Sequence, residues 1–260
     1  MDKQFIKKYK KVFSFLNANQ IYYQYVIVLN KLKRLFKPKA SHKFLFILSP
    51  PFCGSTLLNQ IISSSKNVSV NNELGTREGQ TLPKVSKLIF NNSKKWDDSY
   101  AVNWNFVKTE WEKYWNLSRP ILLEKSPPNL VRAKDISNYF KPSYFIVFYR
   151  NPYAHCESLM RRKNNNPTKA AKFALKCLEF QKKNIEELNN TIGISYEDLT
   201  SNISDTAQGL IKFLPELSGI NYNQEFSVHN FRNEKMKITN LNSENISRLT
   251  KDQINEINII

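Results

Sequence analysis

Three short stretches hold residues suited to gripping an anion. The first is FCGSTLL (52–58), where Ser55 and Thr56 follow a single glycine, Gly54. The second is LLEKSPPN (122–129), where Lys125 follows an apolar run and precedes Ser126 and two prolines. The third is YFIVFYRNPYAHCESLMRR (144–162), where Arg150 is followed two helical turns later by Ser158. Backbone amides at a helix start, a compact ammonium and a planar guanidinium fork are groups that bind oxyanions such as phosphate. Each stretch also has a plain reading. These are a capped strand-turn-helix, a solvated lysine, and an arginine paired with an acid beside a buried helical serine.

Their positions along the chain add weight to the anion-binding reading and leave the plain one open. Residues 44–48, 121–123 and 144–149 are short apolar runs of the kind found in buried parallel strands. Each polar cluster follows one of them directly. Helical spacing covers 54–65, 82–91, 103–114, 130–140, 152–162, 168–188 and 205–214, with a further strand at 192–195 and a weak last helix at 251–257. Asn151 is placed to cap the helix that begins with Pro152. Strands alternating with helices imply an α/β fold with a parallel sheet, and such sheets bind ligands at the carboxyl ends of their strands. At the first of these ends the turn would aim the N–H groups of Cys53, Gly54, Ser55, Thr56 and Leu57 at one spot. The helix dipole favours an anion there, and Gly54 permits its close approach. The Walker A pattern is absent, because the turn has no lysine or arginine.

The chain has 260 residues, 41% of them hydrophobic, enough for one large domain at 44–260 after a basic helical extension at 1–43. Lys and Arg number 39 against 22 Asp and Glu, a formal charge of +17, which favours anionic partners. Cys53, Cys156 and Cys177 are too scattered for a disulfide framework or a metal cluster, and they fit a reducing compartment. No run is long enough to span a membrane, and the start has no secretory h-region. The expected location is therefore cytoplasmic, or peripheral on the inner face of a membrane. In the extension, FIKKYKKVFSFL and YYQYVIVLNKLKRLF each read as amphipathic helices. They fit a packed extension with a solvated basic face, or peripheral contact with an anionic membrane through residues 1–37. Trp96, Trp104, Trp111 and Trp115 cluster in sequence; they could line a ligand cleft, although core packing is the more frequent fate of tryptophan.

Together these segments resemble the sulfotransferases that use 3′-phosphoadenosine 5′-phosphosulfate (PAPS), closest in spacing to the tyrosylprotein-type and bacterial members. FCGSTLL resembles the family's 5′-phosphosulfate loop, RNPYAHCES its 3′-phosphate motif, and EKSP the Lys-x-Pro segment between them. SYEDL (195–199), with Tyr196, resembles the late strand-to-helix junction. The resemblance covers about 44–215 and implies a P-loop-like sheet, a PAPS donor, no metal, and a hydroxyl-bearing acceptor: a glycan, lipid, metabolite or tyrosine peptide. It implies that Ser55, Thr56 and the loop amides hold the phosphosulfate. Arg150 and Ser158, assisted by Arg162, would take the 3′-phosphate. Lys125 would stabilise the transition state, and Glu73, spaced from Phe52 as the base is from the loop's cation in the tyrosylprotein-type branch, would take the acceptor's proton. The alternative for Glu73 is an exposed loop acid. Arg77 and Glu78 are weaker candidates for acceptor contacts or for pairing with Glu73. His42, His155 and His229 match no catalytic context.

Phe52 departs from the pattern, standing where relatives carry Lys or Arg. A lost charged contact of this kind costs about a few kcal/mol of transition-state stabilisation. Lys125 would then act alone, a basic residue of the tail (Arg232, Lys235 or Lys237) would enter, or the enzyme would be impaired. Two other function classes stay open. A P-loop-like nucleotide or small-molecule kinase lacks its Walker lysine and a clear magnesium-binding Asp. A non-catalytic binder of nucleic acid or an anionic surface rests on charge alone, and nothing marks a specific nucleic-acid site.

Overall fold

The computed structural model describes residues 3–36, 41–227 and 235–260, with side chains from Ala18 onward. Five strands, β1 (Lys43–Leu48), β2 (Val68–Val70), β3 (Ile121–Glu124), β4 (Ser143–Tyr149) and β5 (Thr191–Ser195), form a parallel sheet in the order β2-β3-β1-β4-β5. The central strand β1 pairs with β3 from Lys43↔Ile121 and with β4 from Phe44↔Ser143. This register brings the ends of β1, β3 and β4 to one edge of the sheet. β1 and β3 are buried nearly throughout, as befits strands covered on both faces. The connecting helices are α2 (Ser55–Ser63), α3 (Trp104–Glu112), α4 (Ala133–Tyr139), α5 (Pro152–Lys163), α6 (Pro167–Glu187), α7 (Tyr196–Ser201) and α8 (Ile203–Phe213). A two-stranded ribbon, β6 (Phe226–Ser227) and β7 (Lys235–Met236), precedes α9 (Asn242–Ile246) and α10 (Lys251–Asn258).

Each face of the sheet has its own core. One packs Phe44, Phe46, Phe145 and Val147 against Trp104, Trp111, Trp115 and Phe140. The other packs Leu45, Ile47, Ile146 and Phe148 against α2, α7 and α8. The alternation of side chains along a strand sends neighbouring residues to opposite cores. Three of the four tryptophans are therefore structural, and their ring N–H groups fasten loops where partners are present. Trp111 Nε1 donates to the Gly79 carbonyl at 3.1 Å and Trp115 Nε1 to that of Leu123 at 3.0 Å. Trp96 is partly buried and packs edge-on against Phe173.

The structure departs from the spacing-based expectation in three places. Residues 82–91 form successive turns, not a regular helix, while still burying Leu82, Val85 and Ile89. Side chains compete for the backbone there: Ser86 Oγ donates to the Pro83 carbonyl and Asn92 to that of Leu88. The two amphipathic segments of the extension are one helix, α1 (Lys3–Phe36). The expected helix at 130–140 opens as a 3-10 turn at Pro127–Arg132 before becoming α4, because two prolines start it.

Candidate active site

The loop after β1 owes its shape to two left-handed residues. Phe52 has φ 67° and Gly54 φ 90°. At Gly54 a side chain is excluded twice, because a Cβ would also lie 2.8 Å from the Tyr196 ring. α2 starts immediately afterwards with no side-chain cap on its first turn. Its leading amides, with the hydroxyls of Ser55 and Thr56, border a cleft of about 310 Å³. Lys125, Arg150, Ser158, Arg162, Tyr196 and Lys237 line the same cleft with Phe52 and Leu57. Cys53 is buried behind the loop, and burial pushes its thiol well above the usual range, so it is inert.

Lys125 is the most deeply placed cation of the cleft, at 1% exposure. Its Nζ donates to Glu78 Oε1 at 2.9 Å and to Thr56 Oγ1 at 3.2 Å. Glu78 is aimed by a turn held from several sides. Glu124 accepts from the Gly79 amide at 3.2 Å, Ser126 Oγ from the Gln80 amide at 2.9 Å, and the Glu78 carbonyl from Asn72 Nδ2 at 2.9 Å. Gln80 Nε2 donates to the other carboxylate oxygen of Glu78 at 2.5 Å. A Cβ at Gly79 would lie 2.4 Å from Asn71 Nδ2 and 2.8 Å from Nε1 of the buried Trp111 ring, so a side chain there would displace both. Burial pushes the Glu124 carboxyl up to about 7, against the donors Ser126, Gly79 and the Lys125 amide.

Arg150 directly follows β4 and is buried. Its guanidinium lies 4.2 Å from the centroid of the Tyr196 ring. Nε donates to Asn242 Oδ1 at 2.7 Å and Nη1 to the Phe52 carbonyl at 3.2 Å, while Nη2 is buried with no hydrogen-bond partner among the described residues. Ser158, on α5, is buried and receives a hydrogen bond from Asn245 Nδ2 at 3.2 Å. α9 thus closes over both residues. Asn242 also binds the Glu197 carboxylate, which accepts from the Asn151 amide at 2.9 Å. Asn151 caps α5 through Tyr153 N and Ala154 N. His155 supports the loop from behind, with Nε2 3.0 Å from the Pro51 carbonyl. Burial lowers it to about 4, so it stands as the neutral ring.

Glu73 is placed elsewhere. It is exposed, accepts from Tyr22 Oη of α1 at 3.1 Å, and lines a separate cavity between α1 and the sheet edge. Lys235 is exposed on β7 and does not line the cleft, and Arg232 lies outside the described residues. Arg77, at φ 59°, donates to Asn59 Oδ1 at 2.6 Å and Ser63 Oγ at 2.9 Å. The position of Phe52 is answered from α5: the Arg162 guanidinium lies 5.7 Å and the Lys163 ammonium 5.8 Å from its ring centroid. Sequence reading missed the pairing of Glu78 with Lys125 and the roles of Asn242 and Asn245. A Glu before a glycine was visible, but a polar tail of Asn, Ser and Glu carries no pattern that points to a cleft.

A sequence model described as the sulfotransferase family matches residues 45–217. No curated protein matches significantly. Among solved structures, the sulfotransferase domain of the Synechococcus PCC 7002 olefin synthase aligns at 19% identity over 86% of this chain and 96% of that one, with TM-score 0.49. The sulfotransferase domain from the curacin biosynthetic pathway aligns at 20% identity over 68% and 76%, with TM-score 0.46.

Proposed function

Because the chain belongs to the sulfotransferase family, we propose that it moves a sulfuryl group from PAPS to an acceptor hydroxyl in the cleft between the β1 loop and α5. The observation that carries this reading is one cleft that gathers the uncapped start of α2, the Lys125 ammonium and an Arg150 whose Nη2 has no partner among the described residues. The residues fit the donor. An orphaned guanidinium N–H over an aromatic ring suits the 3′-phosphate, and Ser158 adds a hydroxyl. The uncapped start of α2 suits the 5′-phosphosulfate.

When bound, PAPS supplies the sulfuryl group and departs as 3′,5′-ADP. The protein's share is positioning and charge. Lys125 and the α2 amides neutralise negative charge that grows during transfer, and Arg162 and Lys237 add positive potential at the cleft wall. Glu78 takes the acceptor's proton in place of Glu73, because its carboxylate is in the cleft and held beside Lys125. Lys125 thereby covers the cationic role that Phe52 lacks.

The test is calorimetric titration with 3′,5′-ADP. Arg150→Ala removes charge-assisted hydrogen bonds of about 1.5–3 kcal/mol, a roughly 10- to 150-fold loss of affinity. Ser158→Ala weakens binding less. Binding of ATP with Mg²⁺ but not of 3′,5′-ADP would overturn the proposal.

A further inference from the structure

α1 is apolar on two opposite sides. One side, with Tyr23, Val26 and Ile27, packs against the domain core, and Asn30 Nδ2 locks it by donating to the Tyr114 carbonyl at 2.7 Å. The other side carries Ile21, Tyr25, Val28, Leu32, Leu35 and Phe36, which are 48–83% exposed. The spacing of four and three residues puts the first five in one line along the helix. Such a contiguous stripe marks an interaction surface, whereas isolated exposed apolar residues are ordinary.

Charge selects the partner. Between Lys3 and Phe36 the helix has seven lysines and one arginine and no acidic residue. Lys31 and Lys33 neighbour Leu32, so each lies about 100° around the helix from the stripe, one on each side. Two copies meeting through this stripe would bring like charges together. An anionic bilayer accepts the apolar side chains at the headgroup boundary and pairs with the flanking ammonium groups. No described helix is long and apolar enough to cross a membrane, so α1 would lie along the surface.

We propose that the exposed stripe of α1 docks the enzyme on anionic membranes, with Leu32 and Leu35 inserted and the adjacent lysines on lipid headgroups. The opposite side of α1, packed on the core, ties the domain to the docked helix. The inference is independent of the transfer chemistry, since none of these side chains lines the cleft.

The experiment is co-sedimentation of the full chain with vesicles of phosphatidylcholine alone and of an equimolar mixture with phosphatidylglycerol, at low and high salt. Binding to the anionic vesicles, weakened by salt, is expected, with little binding to phosphatidylcholine. The double variant Leu32→Glu, Leu35→Glu should lose about tenfold or more in partitioning. Its thermal unfolding and its 3′,5′-ADP affinity should stay as in the parent. Two results of the vesicle assay would overturn the proposal: absence of binding to anionic vesicles, or binding that the double variant retains in full. Light scattering gives an independent check: a dimer of the parent chain that the double variant dissolves would assign the stripe to a second copy instead.

Discussion

Replacing Glu78 by glutamine separates its ion pairing with Lys125 from the proton-accepting role proposed for it. The side chain keeps its size, and its amide oxygen can still accept from Lys125, but the countercharge of an ammonium exposed by only 1% is gone. Removing one partner of a buried ion pair costs about 3–5 kcal/mol. Here the Thr56 hydroxyl at 3.2 Å still takes a hydrogen bond from Nζ, so the expected loss is smaller, about 1–3 kcal/mol. For a domain of this size each kcal/mol corresponds to roughly 2–4 °C in unfolding temperature. The kinetic effect is larger, because a positioned general base contributes about 10²–10⁴ in rate. The assay is release of 3′,5′-ADP from PAPS with a panel of hydroxyl acceptors, run beside calorimetric 3′,5′-ADP binding on Glu78→Gln and Glu73→Gln. Glu78→Gln should bind 3′,5′-ADP nearly as the parent does and lose turnover. Glu73→Gln, at an exposed residue that accepts a hydrogen bond from Tyr22, should stay within about 0.5 kcal/mol in stability and keep its turnover. If Glu78→Gln turns over normally while Glu73→Gln does not, the base is Glu73 and the reasoning from the Lys125 pair fails.

Three further predictions follow from the geometry. Gly54→Ala combines a positive φ with a 2.8 Å contact to Tyr196, so it should destabilise by about 1–3 kcal/mol in chemical denaturation and weaken 3′,5′-ADP binding. Asn242→Ala frees the Arg150 Nε and should lower 3′,5′-ADP affinity by about three- to tenfold, measured by titration. Glu124 has a folded pKa raised to about 7. The folded state therefore holds its proton more tightly, and the cost of the buried carboxylate is fully present above about pH 7 and relieved as pH falls toward the unfolded carboxyl value. Relative to Glu124→Gln, the parent should gain stability in urea titrations as pH drops across that window; parallel stability curves for the two proteins would contradict this.

How much was legible follows from where each signal resides. β1, β3 and β4 are continuous apolar runs, and Arg150 and Lys125 sit one residue past two of them, so strand-end chemistry could be read from local pattern. The cap at Asn151 and the glycine at 54 were equally local. β2 was invisible: three residues of VSV in a polar setting become a strand only by pairing with Leu122 and its neighbours. The turns at 82–91 imitate helical spacing because they bury the same apolar positions by another route. Glu73 and Glu78 are five residues apart in one polar loop, and their types do not distinguish them.

The linear chain carried the family, the sheet class and the cations of the cleft, because these depend on periodicity and on residues adjacent to strands. The tertiary structure decided which carboxylate faces Lys125, since that depends on Glu124, Ser126, Asn72 and Trp111 converging on one turn from separate elements. It likewise joined the tail's Asn242 and Asn245 to Arg150 and Ser158, contacts about ninety residues apart in sequence. Hydrogen bonds over such separations exist only once the sheet and its helices have fixed the backbone, so no local pattern can encode them. The missing cation at Phe52 belongs to both levels: its absence is written in the sequence, and the gathering of Lys125 and Arg162 around the same cleft is a product of the fold.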